Sequence, residues 1–282
     1  MKKNVFFAAA FMLIAGGAMA QTTGSTGTGN SALVTQTGGT ETHKNAAAID
    51  QVGNSNAATT IQVGNGNLAA QTQTGDRNRA SINPQNSKNG APSNFNNHTQ
   101  TQNGDDNKAE ASVYNSGNTG VQTQLGDKND SKLIQSGYGN HSATTTQDGN
   151  QNTAFIEQRM GSNTATISQV GDLNEAYVKQ DGMRNNATVT QEGDRNNVGN
   201  GKWAAADLGV RQIGNDNAAT VSQLSSDNAA LIWQDGNSNV GSISQSVGNS
   251  NEAYMKQNGV GNGANVTQMG AFNQATVNQN NK

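Results

Sequence analysis

The stretch that decides the fold is Gln169-Val170-Gly171-Asp172-Leu173-Asn174-Glu175-Ala176-Tyr177-Val178-Lys179-Gln180. From Asn174 to Gln180 every second residue is small, apolar or a carboxamide, and the residues between them are Glu175, Tyr177 and Lys179. This is the period of a β-strand with one face buried. Asn174, Ala176, Val178 and Gln180 therefore point inward and the other three point to water. The residues ahead of the strand are of turn type, because Gly and Asn accept the positive φ that a chain reversal demands.

Working outward from this unit, glutamine keeps the register at Gln51, Gln62 and Gln73, then at Gln124, Gln135, Gln147, Gln158, Gln169, Gln180 and Gln191, then at Gln212, Gln223, Gln234, Gln245, Gln257, Gln268 and Gln279. Twelve of the fourteen intervals inside these runs are eleven residues and two are twelve. Five residues after a register glutamine stands Asn56, Asn67, Asn163, Asn174, Asn185, Asn217, Asn228 or Asn273. Nine after it stands Ile156, Ile167, Val178, Val189, Val221, Ile232, Ile243, Val266 or Val277, which form the expected apolar core. Each unit is one strand and one turn, and two units of about 22 residues return the chain over its start. The expected fold is all-β, a two-sided β-solenoid of about ten coils. Phe155 and Tyr177 lie 22 residues apart at one outward position, as do Glu157 and Lys179, so both pairs are expected to stack on neighbouring coils.

Composition fits the same architecture. Of 282 residues, 43 are Asn and 26 are Gln, about a quarter of the chain, while 32% are hydrophobic and 13% charged. An ordinary globular enzyme is about 45 to 50% apolar and about 25% charged. A formal net charge of −3 is too small to hold a disordered tail open by repulsion. It also offers no basic surface, so no nucleic acid is expected as a partner. One coil alone cannot fold. Ordering its residues costs about 1 to 2 kcal/mol each, and two buried Val or Ile side chains return only about 1.5 to 3 kcal/mol each. Carboxamides that bond from coil to coil resolve the burial problem and make repetition a physical requirement.

Residues 1–20 read as a secretory signal peptide. Lys2 and Lys3 precede an apolar run from Val5 to Ile14, and Ala18-Met19-Ala20 is a small-x-small site with cleavage between Ala20 and Gln21. The run is shorter than the ~20 residues that span a bilayer, so no membrane span is expected once it is removed. Residues 21–35 form a polar N-terminal segment and 36–282 the repeat solenoid. Two places break the register. Pro84 and Pro92 are the only prolines, which places an irregular loop at 83–101. The interval from Gln191 to Gln212 is twenty-one residues, which fits a degenerate unit at about 197–211, with a shortened turn near Trp203 and a strand buried through Leu208 and Val210; an insertion is the alternative.

The last unit keeps the pattern through Ala275, Val277 and Gln279 without a polar cap. An uncapped strand is a template for another, and self-similar coils that dock end to end give a filament that does not close. With secretion, this predicts an extracellular fibre built from copies of the chain itself.

The spacing Gln-x-Gly-x-x-Asn-x-Ala-x3-Gln, in Gln169, Gly171, Asn174, Ala176 and Gln180, or in Gln62, Gly64, Gly66, Asn67 and Ala69, resembles the curlin repeat of bacterial curli subunits over about residues 36–279. Asn163 stands where that motif has Ser, and Leu173 where it has a second Gly. The resemblance implies export through a dedicated outer-membrane secretion channel, polymerisation outside the cell as a functional amyloid of the biofilm matrix, and a nucleator subunit as partner. The segment 21–35 takes the place of the curlin export-targeting segment, and would equally pass for a frayed terminus.

No enzymatic site is expected. His43, His98 and His141 share no spacing that would make a metal site or a triad. Turn aspartates such as Asp76, Asp172 and Asp194 lack the nonapeptide pattern of calcium-binding β-rolls and read as solvated. Asp127, Asp172 and Asp194 are candidate gatekeepers against premature stacking. No cofactor is called for. Three functions stand: a fibre-forming subunit, a minor curlin nucleator that templates fibre growth at the cell surface, and a monomeric ice- or carbohydrate-binding solenoid. Outward positions that mix Phe155, Tyr177, Glu157, Lys179 and Trp233 are unlike the flat threonine arrays of an ice binder.

Overall fold

The computed structural model describes residues 11–15, 19–40, 42–85, 93–199 and 209–281. Its described residues form strands and turns with no helix. The chain divides into two compact units, 1–140 and 141–282. In each, consecutive strands fall alternately in two parallel sheets, which makes the fold a β-solenoid of about ten coils of about 22 residues.

In the first unit one sheet stacks Phe11–Ala15, Ser31–Thr37, Ala57–Val63, Arg79–Gln85, Lys108–Tyr114 and Asp130–Gln135. The other stacks Met19–Thr26, Ala46–Val52, Leu68–Thr74, Asn97–Asn103 and Thr119–Leu125. In the second unit one sheet runs Thr153–Gly161, Glu175–Met183, the pair Asn197–Val198 and Val210–Ile213, Ala229–Asn237, Glu252–Val260 and Gln274–Asn280. Facing it are Ser142–Asp148, Thr164–Val170, Asn186–Glu192, Ala218–Gln223, Val240–Ser246 and Gly263–Met269.

Two-residue alternation sets this register, since a slip of one residue would turn every inward side chain outward. Ile156, Val178 and Ile232 fill one inward column of the second unit and Ile167, Val189, Val221 and Ile243 the facing one, all fully buried. Val266 is nearly so, and Val277 in the last strand is half-buried. Outside, Phe155 lies 5.9 Å from Tyr177 between ring centroids, and Glu157 pairs with Lys179 at 3.4 Å. Trp233 sits between the Arg211 guanidinium at 4.9 Å and the Lys256 ammonium at 4.7 Å, one coil to each side.

The structure corrects three boundaries. The solenoid begins ahead of residue 36: Asn30 is buried and Ser31–Thr37 is already a paired strand, because the sequence from Asn30 to Gln36 is itself a repeat unit. The irregular segment is narrower than 83–101. Asn83, Pro84 and Gln85 stay in register with Ser112, Val113 and Tyr114, and Asn97–Asn103 is a regular strand, so the insertion lies between them; Pro92 is outside the described residues. At 197–211 there is no shortened unit. Asn197 and Val198 pair with Glu175 and Ala176, and Val210 resumes opposite Val178, so one strand is interrupted by an insertion in its middle. Trp203 and Leu208 lie outside the described residues.

Turns repeat as faithfully as strands. Gly171 has a φ of +110°, and a Cβ there would overlap the Gly193 carbonyl oxygen of the next coil. Gly171→Ala is therefore expected to lower stability by about 2 kcal/mol or more, read as a fall in the urea midpoint; an unchanged midpoint would show that the turn relaxes freely. Two residues on, a second positive φ falls on Leu173, Arg184, Arg195 or Asp216, where the motif it resembles has glycine, and Asp227 takes the same conformation at the equivalent turn position. Three bidentate pairs span positive-φ turn residues of this kind: Arg77 with Asp106, Arg184 with Asp216 and Arg195 with Asp227, each at 2.7 Å. In each pair the hydrogen-bonded aspartate raises the arginine's pKa, and the arginine holds the aspartate below the usual carboxylate range.

Candidate functional site

The inward carboxamides are bonded to one another. Gln158 Nε2 donates to Gln180 Oε1 at 3.0 Å, Gln180 to Gln212, Gln212 to Gln234, Gln234 to Gln257 and Gln257 to Gln279, each at 2.9 Å. On the facing sheet the column runs Gln147, Gln169, Gln191, Gln223, Gln245 and Gln268. Every amide points the same way along its column, because its second N–H is held by a backbone carbonyl across the coil: Gln158 bonds Ser142 O, Gln169 bonds Thr153 O and Gln180 bonds Thr164 O. Flipping one amide would set oxygen against oxygen.

In the first unit Gln51 donates to Gln73, Gln73 to Gln102 and Gln102 to Gln124, while Gln36 donates to Gln62. Gln135 is buried, and the rung before it holds Val113. A second ladder, Gln71 to Gln100 to Gln122, runs beside the first in place of the apolar column. The eleven-residue register passes over these three residues; the signal for them is the recurring Gln-Thr-Gln at 71–73, 100–102 and 122–124.

Asparagines tie turn to turn. Asn174 N donates to Asn152 Oδ1 at 2.9 Å, and Asn174 Nδ2 donates to Gly193 O at 2.7 Å. Asn163, Asn185 and Asn217 make the equivalent bonds to Gly182, Gly214 and Gly236. Asn56, Asn67 and Asn228 are buried in the same columns, and Asn273 in the last turn is half-buried.

Turn aspartates are more than solvated side chains. Asp172 Oδ1 accepts the backbone N–H of Asn150 at 2.7 Å, Asp194 Oδ1 that of Asp172 at 2.9 Å and Asp127 Oδ1 that of Asp105 at 2.8 Å. Two histidines are buried. His98 is buried at an alanine position, between Ala69 and Gly120, and His141 is buried at an asparagine position below Asn163. His43 lies in a turn against Phe95, centroids 5.1 Å apart. No cluster of metal-ligating side chains occurs among the described residues.

Gln274–Asn280 is paired on one side with Glu252–Asn258, and its inward Ala275, Val277 and Gln279 are half-buried where their counterparts elsewhere are covered. The family model described as the curlin associated repeat matches residues 162–193 and 225–259. These two segments are similar to curlin repeats. Both matched segments lie in the second unit, where the Gln, Asn and apolar columns are continuous. Comparison with curated proteins finds no match. In the first unit the same spacing is stretched by the segment after Gln85 and the apolar column is partly amide.

Proposed function

We propose that the chain is a secreted structural subunit that self-assembles head to tail into extracellular curli-like amyloid fibres for biofilm matrix and adhesion, leaving the cell by its signal peptide and an outer-membrane channel. The observation that supports this most is the terminal coil. Its strand Gln274–Asn280 offers unpaired backbone groups on its open side, and Gln268 and Gln279 each make one side-chain donation where Gln257 makes two. Another copy completes both. Parallel stacking continues the backbone ladder, and the amide ladder continues with it. Asp127, Asp172 and Asp194 place like charges near the turns of a stacking coil and slow its approach.

The test is to hold residues 21–282, purified, at neutral pH and image them. Long unbranched fibres with a spacing of about 4.8 Å along the axis are expected; lasting soluble monomer sinks the reading, and seeding of another subunit without fibres of its own points to a nucleator. A triple variant with Asp127, Asp172 and Asp194 changed to Asn keeps each Oδ1 acceptor and is expected to polymerise faster. An equal or slower rate removes the gatekeeper role.

A further inference from the structure

The terminal coil has a chemical polarity that limits what can sit on it. Along each glutamine column Nε2 donates to the Oε1 of the next coil, and along each asparagine column Oδ1 accepts the backbone N–H of the next asparagine, as Asn239 Oδ1 does from Asn262 and Asn251 Oδ1 from Asn273. The open face of Gly263–Met269 and Gln274–Asn280 thus presents donors at Gln268 and Gln279 and acceptors at Asn262 and Asn273. A matching coil must bring an asparagine ahead of each strand and a glutamine within it.

In the first unit the earliest strands so equipped are Ser31–Thr37, with Asn30 and Gln36, and Ala46–Val52, with Asn45 and Gln51. One edge of Ala46–Val52 is taken by Leu68–Thr74 and the other by Met19–Thr26. That second neighbour has no asparagine ahead of it, and its one glutamine, Gln21, stands in register with Ala48 instead of Gln51. In it Ser25 stands in register with Gln51, the residue before it in sequence is Ala18, and its register shifts between Thr22 and Ser25.

We infer that residues 21–26 are a displaceable self-cap, an intramolecular strand that occupies the edge of Ala46–Val52 until the terminal coil of a second copy replaces it. This rests on the fibre reading. If the strand stayed, it would itself stack on Gly263–Met269 of the other copy, and Gln268 and Asn262 there would meet no partner of their own kind. Phe11–Ala15, which pairs with Ser31–Thr37, lies in the signal segment and is absent from the 21–282 chain; with residues 21–26 also released, Ser31–Thr37 stacks on Gly263–Met269 and Ala46–Val52 on Gln274–Asn280, and both glutamines and both asparagines match. The cap is a weaker neighbour than the copy that displaces it, so it holds the monomer back without preventing assembly.

The test locks the cap. Thr26 and Val52 are register partners with exposed side chains in a chain without cysteine, and adjacent strands lie about 4.8 Å apart, within the Cα separation a disulfide spans. Oxidised Thr26→Cys/Val52→Cys, in the 21–282 chain, is expected to elongate seeds about tenfold more slowly than the same protein reduced, as when the competent state is a minor fraction. A chain that begins at Gly27 is expected to polymerise faster than the 21–282 chain. Equal rates for the oxidised and reduced pair, with no gain on deletion, overturn the cap while fibres still form. If the unaltered chain forms no fibres at all, the fibre reading falls and the cap with it.

Discussion

Gln180→Ala is expected to lower the stability of the second unit by about 3 to 6 kcal/mol. Gln180 accepts from Gln158 and donates to Gln212 and to Thr164 O, and it is fully buried. Its removal strands a donor on one neighbour, an acceptor on the other and a backbone carbonyl across the coil. Each buried group left without a partner costs about 1 to 3 kcal/mol. The loss exceeds that of truncating an ordinary core valine because three residues on three strands are affected at once. An outward control, Ser168→Ala, is expected to stay within about 0.5 kcal/mol. Because coils in a solenoid contact only their neighbours, stability is a sum of coil and interface contributions. The damage therefore reads as faster amide exchange in Thr153–Gly161 and Val210–Ile213, with Gln274–Asn280 unaffected. Uniform exchange across the unit, or a change below about 1 kcal/mol, would show that the ladder holds little of the fold together.

That a glutamine can matter more than a valine was legible in the spacing, since Gln158, Gln169 and Gln180 repeat with a regularity the apolar positions lack. Strand placement, the inward set Asn174, Ala176, Val178 and Gln180, and the stacking of Phe155 on Tyr177 all follow from periods of two, eleven and 22. What the spacing conceals has two physical sources. An insertion within a strand, as between Val198 and Val210, leaves the stack intact while shifting every later number, so register alone cannot distinguish it from a short unit. A polar side chain at an apolar position, as Gln71 opposite Ile49, is read as an error in the pattern until Gln100 and Gln122 are seen to continue the column. Asp172 and Asp194 were invisible as acceptors for the same reason: what they bond is backbone N–H one coil away, which no residue type announces.

His98 makes the first unit acid-sensitive. The ring fills an alanine slot between Ala69 and Gly120 with Leu133 close by, and neither ring nitrogen has a hydrogen-bond partner. Burial alone pushes its pKa from 6.5 down to about 4, because no charge nearby compensates the imidazolium. The folded state therefore binds the proton less readily than the unfolded one. The resulting stability is fully present above pH 6.5, falls as the pH drops, and is lost by about pH 4, in a window set by those two values. The gap corresponds to about 3 kcal/mol, read as a steep decline of the unfolding midpoint from pH 6.5 to 4. His98→Ala is expected to abolish that slope. It leaves space above Ala69, since Gly120 is fitted to the ring and a Cβ there would overlap His98 Nδ1. The single variant is therefore less stable at neutral pH by about 1 to 3 kcal/mol, and His98→Ala with Gly120→Ala, which continues the alanine column, recovers most of that loss while remaining flat with pH. A slope that survives both substitutions would assign the acid sensitivity to the turn carboxylates, where Arg77, Arg184 and Arg195 hold Asp106, Asp216 and Asp227 ionised to lower pH than usual.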